Sequence, residues 1–326
     1  MQEIYSLTIV VIFLISLINV YIILKRNFAK KIVGKDINKI GEPLVAESGG
    51  IALIIPFWVL IILFSYFFFF DYKLLIVGIG ITLFAVIGFL DDNKNKFLAG
   101  VVGWKIRALP IAIISLSIAG ILFVPTNITG SLIVIILALF FAGLASFSNT
   151  FEGLNGWTSG TSFIIAIALA IVAIKVGYVY SFLFVGLAAV ILGFLIFNKF
   201  PAKVLPGDSG TLFIGAGIAG LALFTQNFMF IIFTFLLFIP HIIDFFFLKM
   251  LTNRKDASQH KQRPYKVLKN AKLTIPDYKG NTKYDFAKLL MKIFGPRYEW
   301  QIVLIIWTIV IINTAFWAYL FFQFVF

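Results

Sequence analysis

Three short polar segments interrupt an otherwise apolar sequence, and each carries side-chain oxygens. GFLDDNKNK contains Asp91 and Asp92, NTFEGLNGWTSG contains Asn149 and Glu152, and LPGDSGTLFIG contains Asp208. Carboxylate and amide oxygens are the ligands that Mg²⁺ prefers in proteins. A charge at mid-bilayer costs about 2.5–3.5 kcal/mol, so such acids are tolerated where they reach water, a cation or one another. The set predicts a cation site, and the alternative is that each acid is a solvated helix end.

Glycine and proline break the chain at the same places. The Pro-Gly pair before Asp208 prevents a simple continuous helix and lets this carboxylate project inward. In the second segment, Asn149, Glu152 and Asn155 are spaced by three, which places them on one face of a helical turn. Irregular backbone at membrane depth survives only when it is buried in protein or lines a wet cavity. The sequence therefore predicts a polar cavity.

Basic residues follow the first acidic segment at a short distance. Lys105 and Arg107, in GWKIRALP, come after Asp91 and precede another apolar run. Phosphate chemistry needs cations opposite carboxylates, because the developing charge must be balanced. We interpret Lys105 as the phosphate-binding candidate and Arg107 as an ordinary basic helix flank, with the flank also the alternative for Lys105.

The composition defines the class of protein. Of 326 residues, 61% are hydrophobic and 13% are charged, and the mean hydropathy is +1.03. These values indicate a polytopic membrane protein with an all-α fold. The absence of cysteine excludes disulfides, thiolate catalysis and cysteine-ligated metals.

The apolar runs predict about ten transmembrane helices in a single membrane-embedded domain, residues 1–326. A hydrocarbon core of about 30 Å requires roughly 17–25 helical residues. The expected spans are residues 4–24, 49–70, 73–90, 104–124, 131–148, 160–176, 180–197, 211–225, 228–249 and 301–324, with a kink at Pro240.

The basic residues predict the orientation. All but Lys73 and Lys175 of the 27 lysines and arginines fall in alternate connecting segments or at the adjoining helix ends. The positive-inside rule then places both termini on the outer face and the polar segments on the cytoplasmic face. The net charge of +13 favours lipid headgroups and phosphate-bearing ligands, and no feature is typical of nucleic-acid binding.

Residues 250–300 form the longest polar connection. They contain His260 and Arg263, and we expect them to form a cytoplasmic cap over the cavity with a short strand or helix. The amphipathic stretch AKLLMKIFG predicts a helix lying flat on the membrane. His241 and Asp244 precede this segment at helical spacing, and for this pair mutual satisfaction at a helix interface and a role in the site are both open.

The ordered motifs carry a family resemblance that covers nearly the whole chain. They are GKDINK with PLVAESGG, GFLDDNKNK, SNTFEGLNGWTSG, NKFPAKVLPGDSGTLFIG and IPHIID. Together they resemble the polyprenyl-phosphate N-acetylhexosamine-1-phosphate transferases of the glycosyltransferase 4 type, which are integral membrane enzymes of ten helices.

This resemblance implies transfer of N-acetylhexosamine 1-phosphate from a UDP-sugar to a polyprenyl phosphate, with release of UMP. It implies Mg²⁺, with Mn²⁺ as the alternative, held by Asn149 and Asp208. It also implies that Lys105 contacts phosphate. Asp91 and Asp92 match the acidic pair of the family, for which the roles of base, lipid-phosphate activator and positioning group stay open.

The remaining substrate contacts implied by the resemblance lie in three loops. Gly153 and Asn155 match the part of the Asn149 loop that lies near the nucleotide, Asn38 and Glu47 belong to the motif of the first loop, and the last loop selects the sugar. Glu152 stands where bacterial members have aspartate, and Trp157 stands where the family usually has leucine, so packing and stacking are both open for it. The substrate-binding candidates are Asn38, Glu47, Glu152, Gly153, Asn155, His260 and Arg263.

Details favour the archaeal and eukaryotic branch, which makes dolichyl diphosphate N-acetylglucosamine for N-glycosylation. GKDINK with ESGG resembles its first loop, and GPRYEW resembles its C-terminal end. The muramoyl-pentapeptide branch has a histidine triplet in its last cytosolic loop, whereas this chain has His260 alone there. The bacterial undecaprenyl-phosphate N-acetylglucosamine enzymes are the alternative, since IPHIID resembles their pattern.

A lipid or nucleotide-sugar transporter is the rival class. Transporters place broken helices near the bilayer midplane and show repeated halves, whereas here the charges lie at one rim and no repeat is found. A membrane scaffold would not need this set of acids, amides and lysines. We expect a multi-pass protein of the cell membrane, or of the endoplasmic reticulum in a eukaryote, with a homodimer as an open possibility.

Overall fold

The structure is a computed structural model that describes residues 2–94, 102–252, 263–276 and 283–325. Long helices dominate this part of the chain, and two short hairpins are the β-strands within it. The all-α membrane architecture that the composition predicts is therefore confirmed.

Every predicted span overlaps a helix. The helices are α1 (Gln2–Ala29), α2 (Ile54–Phe67, after a 3₁₀ turn at Gly49–Leu53), α3 (Tyr72–Lys94), α4 (Val102–Leu122), α5 (Ile128–Thr150), α6 (Trp157–Lys175), α7 (Ser181–Asn198), α8 (Gly207–Phe224), α9 (Phe228–Leu237), α10 (Ile239–Ile242, followed by a π-helical segment Ile243–Met250), α11 (Phe286–Phe294) and α12 (Glu299–Val325).

Eight helices of the described part are long and apolar enough to cross a membrane. A ninth span forms if the bent pair Phe228–Leu237 and Ile239–Met250 is counted as one. In α4, the apolar stretch Arg107–Leu122 is shorter than these spans. The total of ten and the outward-facing termini stay predictions.

The bent pair changes direction by 53°. Pro240 is the second residue of α10, and proline removes a backbone donor and clashes with the preceding turn. The predicted kink is therefore confirmed. Beyond it the chain continues as a π-helix, which shifts the side chains that share a face.

Helix α8 lies at the centre of the bundle and packs mainly against α3 and α5. Small residues allow this close approach. A Cβ added to Gly215 would lie 2.7 Å from the Cα of Ala145 on α5, and one added to Gly88 on α3 would lie 2.4 Å from the carbonyl of Asp208. Nearly all of α8 is buried as a result.

The connecting segments at one end of the bundle fold onto one another. Strands β1 (Val33–Lys35) and β2 (Leu44–Ala46) form an antiparallel hairpin, and Ala46 bridges Val204 in the loop before α8. Strands β3 (Lys266–Val267) and β4 (Leu273–Thr274) form a second hairpin, which bridges Arg297 before α12. Residues 250–300 thus contain the strand and helix that the sequence predicts.

Helix α11 differs from the expectation of a helix lying flat on the membrane. Its apolar side faces the protein, where Phe286, Ala287, Leu290 and Met291 are buried. The ring of Phe286 packs edge-on against Phe151 at a centroid distance of 5.7 Å. This side is therefore covered by protein, and the exposed apolar residues lie at the C-terminal end of α11.

Candidate active site

The structure brings together the two residues predicted as metal ligands. Asp208 lies in the first turn of α8, and Asn149 lies at the end of α5. The amide Nδ2 of Asn149 donates to Asp208 Oδ1 and to Thr211 Oγ1, each at 2.8 Å. The amide is thus held by two partners from α8, which fixes the spacing between the ends of the two helices.

Arg107 joins this pair to the first acidic segment. Its Nη1 lies 2.7 Å from Asp208 Oδ2 and 2.7 Å from Asp91 Oδ2. The interpretation of Arg107 as an ordinary helix flank is wrong, because the guanidinium bridges two carboxylates. The clue in the sequence is that Arg107 and both acids lie at or next to helix ends predicted on the same face.

Lys105 lies in the first turn of α4, and its side chain lies outside the described residues. Its predicted contact with phosphate stays a prediction.

Asp91 and Asp92 have separate surroundings. Asp92 Oδ1 accepts a hydrogen bond from the backbone N–H of Asp208 at 2.9 Å, and its Oδ2 lies 3.4 Å from the N–H of Ser209. These are unpaired donors of the first turn of α8, so Asp92 caps this helix from α3. The structure gives Asp92 a positioning role, whereas Asp91 reaches Arg107.

The chain enters α8 through Gly207, which has φ +64. A Cβ at this position would lie 2.5 Å from Asp92 Oδ2. Glycine is therefore required at position 207 for two reasons: the backbone is left-handed, and the capping carboxylate approaches too closely for a Cβ.

Glu152 lies in the loop after α5, near this acidic group. Burial raises its pKa to about 8, and the negative charges of Asp208 and Asp92 act in the same direction. The ammonium of Lys249 acts in the opposite direction. Glu152 is thus protonated near neutral pH, which the sequence does not indicate.

Lys249 is a site residue that the sequence analysis missed. Its ammonium lies 2.7 Å from Asp244 Oδ2 and also donates to the carbonyl of Thr150, next to Asn149. The π-helical segment brings residues five apart onto one side, which a count based on α-helical spacing does not show. A cation at the C-terminus of α5 also complements the helix dipole.

The predicted pairing of His241 with Asp244 is wrong. Asp244 pairs with Lys249 and accepts from the backbone N–H of Phe286 at 2.8 Å. The imidazole of His241 instead lies between the rings of Phe151 and Phe238, at centroid distances of 4.1 and 4.6 Å. The π-helical register again explains the difference.

A second polar cluster connects the first hairpin, the loop after α5 and the start of α12. We call Asp36, Lys39, Asn155 and Glu299 the polar ring, because each side chain contacts the next. Asn155 Nδ2 donates to Asp36 Oδ2 at 2.9 Å, and Lys39 Nζ lies 3.0 Å from the same oxygen.

Glu299 closes the polar ring. Its Oε2 accepts from Lys39, and its Oε1 accepts from the backbone N–H of Asn155 at 2.7 Å. Asn38 donates to the carbonyl of Gly153 at 3.2 Å in the same region. Of these residues, the sequence analysis selected Asn38, Gly153 and Asn155. It missed the acids and the lysine, although GKDINK and GPRYEW contain them.

The other predicted substrate contacts lie around this loop. The side chain of Glu47 packs over Gly34, where a Cβ would lie 1.9 Å from Glu47 Oε1. The hydroxyl of Tyr265 lies over Gly153, 2.9 Å from an added Cβ. Trp157 is fully buried and packs edge-on against Phe151 at 5.1 Å, so its role is packing.

Arg263 lies at the wall of a cavity of about 610 Å³ between the two hairpins. Its guanidinium donates to Glu42 and lowers the pKa of that carboxyl. His260 lies outside the described residues. The charged residues lining the cavity are Lys35, Lys39, Glu42, Arg263 and Lys269.

An apolar groove of about 850 Å³ lies between α5 and the bent helix. Along α5 it extends from Ile133 to Phe147, a length of about 21 Å at 1.5 Å per residue. Its last residue on α5 lies two positions before Asn149. Along the axis of α5, the groove therefore reaches the level of the polar site.

The donor set fits a hard cation better than a soft one. Within the described ranges, no cluster of three or more histidines and carboxylates could hold a metal. Asp91 and Asp208 nevertheless share the Arg107 guanidinium, whose Nη1 places a positive charge between their carboxylates, and Asn149 contacts Asp208. A half-turn of the Asn149 amide exchanges its nitrogen for an oxygen at the same place.

These features define a polytopic membrane protein with a charged site at one end of the helical bundle and an apolar groove along α5. Residues 74–226 match the model of glycosyl transferase family 4. The chain belongs to this family, and it is therefore a membrane-embedded transferase.

Similar proteins extend over most of the chain. A protein of Saccharolobus solfataricus is 31% identical over 92% of this chain and 92% of its own length. A protein of Sulfolobus acidocaldarius is 32% identical over 94% and 93%. Both are provisionally named UDP-N-acetylglucosamine–dolichyl-phosphate N-acetylglucosaminephosphotransferase. A phospho-N-acetylmuramoyl-pentapeptide-transferase of Clostridium botulinum is 31% identical over 48% of this chain and 53% of its own length.

Proposed function

We propose that this protein transfers N-acetylglucosamine 1-phosphate from UDP-N-acetylglucosamine to a polyprenyl phosphate of the dolichyl type. An oxygen of the lipid phosphate forms a bond to the β-phosphorus of the nucleotide sugar, and the bond from that phosphorus to UMP breaks. The observation that carries the proposal is the cluster of Asp91, Arg107, Asn149 and Asp208, together with an apolar groove along the other side of α5. The names of the full-length relatives support it.

The groove supports a lipid acceptor. It is almost entirely apolar in its lining, and it approaches the polar site through Leu144 and Phe147 of α5. An isoprenoid chain in this groove would bring its phosphate toward Asn149 and Asp208. We propose this assignment for the acceptor, while the nucleotide sugar binds on the side of the loop after α5.

Asp208 and Asn149, with Asp91 beside them, are the residues that would hold Mg²⁺. A bound divalent cation would supply charge neutralisation for two phosphates that must approach each other. Arg107 supplies a fixed positive charge beside the same carboxylates, and Lys105 is proposed as a further phosphate contact. Asp92 holds the first turn of α8, and with it Asp208, in place.

The lipid phosphate does not require a strong general base. A phosphate monoester has a second pKa of about 6 and is largely ionised near neutral pH. Asp91 is already paired with Arg107. We therefore propose that Asp91 orients the guanidinium and the acceptor, and that it does not remove a proton.

The test uses purified full-length protein in detergent with dolichyl phosphate, Mg²⁺ and UDP-N-acetylglucosamine labelled in the β-phosphate. Label should enter the organic phase with release of UMP, and both should be lost on chelation and in Asp208→Asn. Transfer from another UDP-sugar or to undecaprenyl phosphate would redirect the substrate assignment. Lack of transfer across a panel of such donors and acceptors would overturn the proposal.

A further inference from the structure

The polar ring joins three parts of the chain that are far apart in sequence. Asp36 and Lys39 belong to the first hairpin connection, Asn155 to the loop after α5, and Glu299 to the first turn of α12. Asp36 is 6% exposed, Asn155 is 5% exposed and Glu299 is 3% exposed. These side chains are therefore buried and contact one another, and they do not lie on the protein surface.

The charges of the polar ring are unequal in number. Two carboxylates share one ammonium, that of Lys39, and the other donors to them include the backbone and side-chain N–H groups of Asn155 and the backbone N–H of Asn38. A buried carboxylate that loses a partner keeps its desolvation cost. The position of Asn155 is thus coupled to Asp36 and Glu299, and through these acids to Lys39, since displacing Asn155 would remove a donor from each acid.

Helix α12 holds the loop at a second point. Trp307 Nε1 donates to the carbonyl of Gly156 at 3.1 Å. Its ring also packs on Gly160, where an added Cβ would lie 2.1 Å from the indole. The loop from Gly153 to Gly156 is therefore fixed from one side by the first hairpin and from the other by α12.

The same loop follows Asn149 directly and carries Glu152. Lys39 also lies 4.7 Å from the ring centroid of Phe200, in the loop before Asp208. The loop after α5 and the loop before α8, which both lead to the charged site, are thus in contact with the polar ring. A change in the ring would move the loop relative to Asp208, while the apolar groove on the other side of α5 would keep its lining.

We infer that Glu299 is a positioning residue that sets the conformation of residues 151–156 for the nucleotide sugar and has little influence on the lipid acceptor. This inference rests on the proposed function and adds to it a residue that affects binding of one substrate, the nucleotide sugar. Glu299 acts through Asn155 and Lys39 and does not touch the reacting atoms.

The test compares Glu299→Gln, Lys39→Met and the double variant in the full-length protein. Glutamine keeps the shape and one acceptor of Glu299 but places an amide N–H₂ against the Lys39 ammonium. The KM for UDP-N-acetylglucosamine and the Kd for UDP should rise roughly tenfold in each single variant, because the loop is displaced. The KM for dolichyl phosphate should stay unchanged.

The double variant distinguishes coupling from general damage. If Glu299 and Lys39 act through the same contact, the Kd for UDP of the double variant should not exceed the higher of the two single-variant values. Gln301→Ala is the matched control at the start of α12, since Gln301 accepts a local hydrogen bond from the N–H of Tyr298. It should leave both KM values unchanged.

Equal changes in both KM values, or additive effects in the double variant, would overturn the inference. So would unchanged UDP binding in Glu299→Gln. Failure of the proposed function has a different result, because the wild-type protein itself would then transfer no label and bind no UDP. The UDP measurement needs no turnover, so it stays informative where a variant is inactive.

Discussion

At the scale of single residues, the acidic pair on α3 separates into two functions. Asp91 contacts the guanidinium that also binds Asp208, and Asp92 caps the helix that carries Asp208. The sequence does not distinguish the two acids, because adjacent residues at a helix end point in different directions and only the packing of the helix decides which neighbour each carboxylate meets. The structure assigns that direction through the contact between α3 and α8.

Arg107 should be required for turnover but should compete with a metal for Asp208. In Arg107→Gln we expect kcat to fall by roughly a hundredfold, because a fixed charge beside the phosphates is lost. The Mg²⁺ concentration for half-maximal activity should decrease, because the guanidinium no longer occupies Asp208 Oδ2. Initial rates over a Mg²⁺ titration measure both values, and a rise in the Mg²⁺ requirement would contradict the competition.

Glu152 should make stability depend on pH. Its pKa is about 8 in the folded protein against an ordinary value of 4.5, so the folded state holds a proton that the unfolded state releases. The stability from the neutral carboxyl is present below pH 4.5 and is lost as the pH rises to about 8. The surrounding charges are Asp208, Asp92 and Lys249.

Glu152→Gln removes this titration. The apparent Tm of the variant should change less between pH 5 and pH 8 than that of the wild type, and it should be higher by roughly a few degrees at pH 8. Thermal unfolding in detergent without divalent cations at several pH values measures it. Parallel curves for the two proteins would exclude Glu152 as the titrating group.

The sequence predicted the location of the site better than its contacts. Asn149 and Asp208 could be selected because they match the family positions that hold the metal, since an amide or an acid at a helix end can by itself be a solvated cap. Arg107 could not be assigned, because a basic residue at a helix end looks the same whether it faces a lipid headgroup or a carboxylate. The polar ring could not be predicted either, because its three segments, at residues 36–39, Asn155 and Glu299, are more than a hundred residues apart in sequence.

At the scale of elements, the spans were predicted well because length and apolarity decide them. The 3₁₀ turn before α2 and the π-helix after α10 were not predicted, since length and apolarity do not distinguish these helix types from an α-helix. The π-helix explains two errors at once, the missed Lys249 and the wrong partner of Asp244.

The contact between α3 and α8 should tolerate no added methyl group at Gly88. In Gly88→Ala the new Cβ would meet the backbone of Asp208 at 2.4 Å, so α8 must shift at its first turn. We expect a cost of about 1–3 kcal/mol, a lower apparent Tm and loss of most of the activity. Thermal unfolding and the transfer assay measure these effects.

Gly120→Ala on α4 is the matched control. An added Cβ at Gly120 has no described atom within 4 Å, and alanine favours the helix over glycine. This variant should keep wild-type activity and an equal or higher apparent Tm. Equal behaviour of the two variants would show that the α3–α8 contact does not fix the site.

At the scale of the whole molecule, the charged site and the apolar groove lie on two sides of α5. The two substrates can therefore be tested independently. Gly143 lines the groove, and an added Cβ would contact the ring of Phe147 at 3.7 Å. In Gly143→Leu the KM for dolichyl phosphate should rise roughly tenfold, because the side chain fills space for the isoprenoid chain.

The affinity for UDP should stay the same in Gly143→Leu. A direct binding titration of UDP measures this, alongside acceptor kinetics with polyprenyl phosphates of different chain length. An unchanged acceptor KM across these lengths would place the lipid elsewhere on the molecule.

The burial of α8 has a consequence for the biosynthesis of the protein. Of the eight membrane-spanning helices in the described part, α8 is the least apolar and the most buried. A segment that is hidden from lipid does not need to be strongly hydrophobic, but such a segment also partitions weakly into a bilayer by itself. When the chain emerges from the ribosome, α8 must enter a space already lined by α3 and α5. The acid that the site requires thus reaches its place late, carried into the membrane by helices that were inserted before it.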